Sequence, residues 1–346
     1  MNEPGATGHG APGRGADPVR VAVLDDYQGV ALGVADWSSL GSSVEVVAYP
    51  DHLSDPDAVV ERLAPVDVVV AMRERTPFPR AVLERLPRLQ LLVTTGMRNK
   101  SIDLEAAEQL GITVTGTSLI AESTVELSWA LIMAVVRDLP GEDRRTREGS
   151  WQRTLPMQLS GSTLGILGLG RLGGRIAALG AAFGMSLLAW SENLTAAVAA
   201  EHGAELVSKQ DLFRRSDIVT IHTVLSRRTR GLVGAPELGL LGPDGYLVNT
   251  SRGPIVQEPA LVAALRNGTI AGAALDVYDV EPLPVGHPLL STPRTVLSPH
   301  VGFVSRRAYE LCYGEAVEDI AAWLAGRPVR LLAGPGVIPG PATPGY

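Results

Sequence analysis

The chain has 346 residues, enough for about two domains at roughly 100–200 residues each. Its hydrophobic share of 45% is ample for buried cores, while a net charge of −7 and a pI near 5.5 argue against a nucleic-acid or anionic-membrane binder. A single cysteine, Cys312, excludes an internal disulfide and points to a reducing, cytoplasmic setting.

Residues 1–18 lack the apolar core of a secretory signal and read as a disordered tail. Strand-length apolar runs follow at 19–26, 44–49, 67–71, 89–94 and 112–115, rich in Val, Ile and Leu as strands buried on both faces require. Helices are expected between them, for example at 79–86 and 103–110, the latter with Asp103 as N-cap and Gly111 as its stop. A long apolar helix is expected over 121–139, ended by Pro140, and its composition suggests packing between domains or subunits. Its most apolar stretch, 127–136, is too short to span a membrane. A second alternation gives strands at 162–168, 186–190, 217–222, 245–249, 271–277 and 294–298, a doubly wound sheet of about six strands. A last helix is expected at 306–325, and the chain after Arg330 reads as a flexible tail.

Between the first two strands of that second sheet lies "GLGRLGG". Gly168 permits the tight turn, Gly170 lets the backbone approach a pyrophosphate, and Gly173 lets the helix pack close to the strand. Arg171 and Leu172 complete the loop, whose N–H groups at the helix start suit a diphosphate. About twenty residues on, where an acid would bond the ribose hydroxyls, stands Ser191, followed by Glu192 and Asn193. Glu192 in the pocket favours NAD, whereas Ser191 and Asn193 tolerate the phosphate of NADP. With no Arg or Lys in 191–195, and only Arg171 in the loop, the balance leans to NAD with NADP left open.

Ligands in such sheets sit at the carboxyl ends of the strands. Arg252, Asp276 with Glu281, and His300 fall just beyond three of those ends. A histidine can exchange the proton that accompanies hydride transfer to a 2-keto acid, a carboxylate can hold its tautomer, and an arginine can fork onto the substrate carboxylate. Each residue also has a purely structural reading: a helix-start ion pair for Arg252, a solvated loop acid for Glu281, a satisfied core imidazole for His300. No metal site is expected.

The segments "GILGLGRLGGRIA", "VNTSRGPIVQEPALVAAL", "AGAALDVYDVEPLP" and "LSPHVGF", in this order between about Leu164 and Phe303, resemble the D-isomer-specific 2-hydroxyacid dehydrogenase family, and "TTGMRNKSIDL" extends the likeness forward. The resemblance implies an α/β fold of two Rossmann-like domains with doubly wound parallel sheets. The cofactor domain (119–303) would be inserted into a split substrate domain (19–118 plus 304–330), with flexible residues 331–346 behind it. It implies a D-2-hydroxy acid or 2-keto acid as substrate, NAD as cofactor and a homodimer. Arg252 would bind substrate, His300 act as acid and base, and Glu281 be its partner. Asp276 would bond the nicotinamide carboxamide, and Thr223 would line the cofactor, though Val224 stands where the family loop usually carries proline. Thr250, Ser251 and Gly302 flank these residues and join the cofactor set. His222 reads as structural. On the substrate side Gly96, Met97 and Arg98 would cradle a carboxylate, with Arg98, Lys100 and Arg73 as extra cations of open role.

Two alternatives stay open at this point. One is a nicotinamide-sensing, corepressor-like interaction protein that lost turnover; the intact Arg–Glu–His set argues against it. The other is phosphite oxidation on the same fold, whereas the pairing of His300 with Glu281 rather than a glutamine counts against formate.

Overall fold

The computed structural model describes residues 17–334, which divide into two compact units: 17–120 with 305–334, and 121–304. Residues 1–16 and 335–346, most of the two expected tails, lie outside the described residues.

In the first unit, β1 (Val19–Val23), β2 (Val44–Ala48), β3 (Val68–Ala71), β4 (Leu91–Thr94) and β5 (Thr113–Gly116) form a parallel sheet in the order β5-β4-β3-β1-β2. Every residue of β3, β4 and β5 is buried, so both faces are covered and the sequence runs apolar without alternation. Asp103 caps the helix Leu104–Gln109 by accepting from Ala106 N, and Gly111 turns out of it at φ +74°, as the sequence predicts. The supposed tail after Arg330 needs correction. Leu331–Ala333 is a strand antiparallel to β5, with Ala333 in the core. Arg330 Nε donates to Asp319 Oδ1 at 2.8 Å, which pins the segment to the helix Arg306–Leu324. A three-residue strand beside a Gly- and Pro-rich stretch carries too little local pattern to be read.

In the second unit, β6 (Thr163–Leu167), β7 (Ser186–Trp190), β8 (Glu205–Leu206), β9 (Ile218–Ile221), β10 (Tyr246–Asn249), β11 (Gly272–Leu275) and β12 (Thr295–Leu297) are all parallel, in the order β12-β11-β10-β9-β6-β7-β8. Strand order reverses between β6 and β9, which is where dinucleotides bind in such sheets. Seven strands stand where about six were expected, because β8 has only two residues.

The long helix also differs from expectation. It runs Glu122–Val136, and Pro140 opens a second helix, Leu139–Arg147, rather than ending the first. Proline suits a first turn, whose N–H groups have no intrahelical partner. Asp138, at φ +46°, makes the break between the two. The apolar face of Glu122–Val136 is used inside its own unit. Leu131, Ile132, Val135 and Val136 pack in the core of this sheet, and Trp129 stacks on Phe183 at 4.9 Å between ring centres. That burial accounts for the composition which had suggested a domain or subunit contact.

Candidate active site

The glycine turn is built as its sequence suggests. Gly168, at φ +105°, has a backbone only glycine adopts readily, and a Cβ there would meet His222 C at 2.7 Å and Thr223 N at 2.8 Å. The turn is therefore pressed against the chain leaving β9, which brings Thr223 beside it. A Cβ on Gly173 would lie 2.1 Å from Gly168 O, so the helix can approach the strand only with glycine there. Gly170 has no heavy atom within 4 Å of the place a Cβ would take. That open side, at the N-cap of the helix Arg171–Ala182, is the approach a pyrophosphate needs, and the residues fit the group. The helix starts at Arg171, so Arg171, Leu172 and Gly173 form its first turn. Ser191, directly after β7, accepts from Leu169 N at 3.2 Å, while Glu192 is exposed.

Around the other strand ends, the structure brings Glu281 and His300 together: Nδ1 of His300 lies 2.5 Å from Glu281 Oε2. Both side chains are largely shielded, at 22% and 30% exposure. Burial raises the Glu281 carboxyl, but the hydrogen bond and charge of His300, the Tyr278 N–H and the Arg252 charge outweigh it and hold the group below the usual carboxylate range. Glu281 is thus ionised and acceptor-only, so Nδ1 carries the proton of the pair and Nε2 is the nitrogen left for other partners. His300 adopts φ +52°, a left-handed backbone unusual for a side-chain-bearing residue.

The residue that holds this conformation is Asp276. It is 1% exposed and accepts from Ser298 Oγ at 2.6 Å, Val301 N at 2.9 Å and Gly302 N at 2.8 Å. The resemblance gives Asp276 to the nicotinamide and Gly302 to the cofactor; what the geometry displays is a carboxylate turned inward to clamp the loop that carries His300. Thr250 and Ser251 are likewise engaged inside the unit, Thr250 Oγ1 with Ser128 Oγ and Ser251 Oγ with Ile221 O, each at 2.8 Å.

Arg252 sits in a tight turn that sequence reasoning left undescribed. Asn249 Nδ2 donates to Arg252 O, and Asn249 Oδ1 accepts from Ser251 N, both at 3.0 Å. A Cβ on the next residue, Gly253, would fall 2.1 Å from Tyr278 C, so this turn lies directly on the backbone of the loop leading to Glu281. Tyr278 was also missed. Its N–H donates to Glu281 Oε1 at 2.9 Å and its hydroxyl to Ser298 O at 2.9 Å, joining the Glu281 loop to the His300 loop. An aromatic after "LDV" carries no signal of that double role. His222, expected to be structural, faces Thr220 Oγ1 at 2.8 Å through Nε2, and burial pushes its pKa down to about 4.

Gly96, Met97 and Arg98 belong to the first unit. Gly96 has φ +110°, and a Cβ there would lie 2.2 Å from Arg73 Nη1, so the Arg73 guanidinium packs under this loop. It also donates to Thr95 O at 3.3 Å. Met97, Arg98 and Lys100 are exposed.

A parallel sheet that reverses at a glycine turn, with an acid–imidazole pair beyond its strand ends, defines a dinucleotide-binding unit fitted for oxidoreduction. The family model described as the NAD-binding domain of D-isomer specific 2-hydroxyacid dehydrogenases matches residues 129–302. The chain is 41% identical to the glyoxylate reductase of Aeropyrum pernix over 256 residues, covering 71% of this chain and 76% of that one. It is 27% identical to the hydroxypyruvate reductase of Blautia hydrogenotrophica over 324 residues, covering 91% and 99%. Among solved structures, a phosphoglycerate oxidoreductase from Vibrio cholerae superposes with a TM-score of 0.84 at 36% identity, covering 89% of this chain and 99% of that one. The chain belongs to the D-isomer-specific 2-hydroxyacid dehydrogenase family. It is an NAD-dependent 2-hydroxyacid oxidoreductase acting on a CH–OH donor, with two Rossmann-like sheets as the sequence suggested. Among the described residues no helix is long and apolar enough to cross a membrane.

Proposed function

We propose that this enzyme interconverts a D-2-hydroxy acid and its 2-keto acid with His300 as acid and base, Glu281 as its partner and Arg252 as the substrate anchor. The bound nicotinamide supplies or receives the hydride, and the turn from Gly168 to Gly173 would hold its pyrophosphate. In the reducing direction, Nε2 of His300 gives its proton to the carbonyl oxygen as the hydride reaches carbon. In the oxidising direction the same nitrogen takes the hydroxyl proton. Glu281 keeps the other ring proton on Nδ1 and stabilises the imidazolium. Arg252 supplies a planar fork for the substrate carboxylate. The observation that carries the reading is the 2.5 Å His300–Glu281 contact on a backbone held left-handed by Asp276. That the matched relatives are reductases favours an enzyme over the sensing protein considered from sequence. The glyoxylate and hydroxypyruvate reductases among them make small 2-keto acids the first substrates to try.

The test replaces His300 by alanine. Turnover of a keto-acid panel with NADH should fall by about 10²–10⁴-fold, the usual worth of a positioned acid or base, with NADH affinity retained. Near-normal turnover in His300→Ala would remove the assignment.

A further inference from the structure

We propose that His287 is a positioning residue for the reaction: through its bond to Glu258 it fixes the far end of the segment that carries Glu281, and so sets Glu281 against His300. The proposal rests on the reading of Glu281 and His300 as the acid–base pair and adds the device that holds them together.

His287 and Glu258 form a second acid–imidazole pair in this unit. Nε2 of His287 lies 2.9 Å from Glu258 Oε1, and the two side chains are only 16% and 18% exposed. Nδ1 accepts from Leu289 N at 3.3 Å, which caps the 3₁₀ turn Pro288–Ser291. With Nδ1 acting as acceptor, the ring proton sits on Nε2 and is given to the carboxylate. Both nitrogens are thus engaged within the unit, so this pair holds backbone in place and has no free nitrogen for a substrate.

What it holds follows from the chain. Glu258 is the first residue of the helix Glu258–Asn267 and lies six positions after Arg252; His287 lies six positions after Glu281. The Arg252 turn already touches the start of the Glu281 segment, since a Cβ on Gly253 would lie 2.1 Å from Tyr278 C and 2.6 Å from Asp279 N. The His287–Glu258 bond is a second tie at the other end. Between the two ties, residues 279–286 form no helix or strand. Leu283 packs partly against the core, whereas Val280 and Val285 are exposed. Apolar burial along this stretch is too slight to fix its backbone. Glu281 therefore sits on a lightly packed strap, yet its Oε2 must stay within hydrogen-bond reach of His300, a geometry that tolerates a fraction of an ångström. Releasing the His287 end lets the strap carry Glu281 away from His300. The Arg252 turn stays, because Asn249 closes it through Arg252 O and Ser251 N.

The variant that isolates this role is His287→Asn. Its shorter amide can still accept from Leu289 N as a cap, but it cannot span the distance to Glu258. In keto-acid reduction with NADH, kcat should fall about 10–100-fold, with the KM for keto acid and the NADH affinity by calorimetry within a few fold. Unchanged kcat overturns the proposal. So does a parallel loss of NADH affinity, which marks a purely structural role, and so does a raised KM at normal kcat, which puts the effect on Arg252. A cycle with Glu281→Gln is the second measurement. Adding His287→Asn to Glu281→Gln should cost no more than a few fold further, because the group it positions is already disabled; a full second loss overturns the proposal. Normal kcat in Glu281→Gln alone would bring down the acid–base reading and this inference with it, whereas a loss there with none in His287→Asn sinks only this inference.

Discussion

Replacing Glu281 by glutamine isolates the charge of the pair while keeping its shape. With the two groups 2.5 Å apart and only 22% and 30% exposed, their interaction lies between the surface and interior limits. Two unit charges about 4 Å apart attract by about 1 kcal/mol in water and about 4 kcal/mol at an effective dielectric constant near 20. Losing that attraction withdraws the support that Glu281 gives to the imidazolium form of His300. The structure adds a second effect. Oε1 is committed to the Tyr278 N–H, which needs an acceptor, so the amide nitrogen of glutamine is steered to the place of Oε2. There it donates to Nδ1, moves the ring proton to Nε2 and leaves no base for the oxidation direction. The assay is kcat/KM in both directions, with NADH affinity as control. Keto-acid reduction should fall about 10–10³-fold, with a larger loss in oxidation. Rates within a few fold in both directions would refute the reasoning.

Gly253→Ala should act on the same site from a distance. The new methyl cannot sit 2.1 Å from Tyr278 C, so the Arg252 turn and the Glu281 loop must part; a shift of about 1 Å costs on the order of a hundredfold in turnover. NADH affinity should stay within a few fold, and unchanged kcat would show that the contact does not position Arg252. His222 gives a pH signature in stability. Its folded pKa of about 4 lies below the ordinary 6.5, so the unfolded chain takes up a proton that the native one refuses. Stability is full above pH 6.5 and falls by about 3 kcal/mol as the pH drops to about 4. His222→Gln, read by denaturant unfolding across pH 4–7, should flatten that fall, and equal slopes in both proteins would contradict it.

Much of this site was legible before any coordinates. The glycine spacing called for a tight turn and a close helix approach, and the contacts a Cβ would meet at Gly168 and Gly173 agree with those two tasks. The strand at 186–190 stands where it was read. Less legible were features that depend on a single residue in a weak local pattern: the two-residue strand at Glu205–Leu206, the strand after Arg330, and the left-handed Asp138 that splits one expected helix in two.

What the sequence determined by itself was the periodic part: buried parallel strands, the dinucleotide turn, and the charged residues placed just past strand ends. Each follows from neighbours within a few residues, where backbone sterics and apolar patterning act. What only the tertiary structure decided was partnership. Asp276 reaches Val301 across 25 positions, and Ser191 reaches Leu169 across 22. The Tyr278 hydroxyl reaches Ser298 across 20. Such bonds form because parallel strands set their carboxyl ends side by side, and a buried carboxylate or hydroxyl there takes whichever donor or acceptor the neighbouring strand end presents.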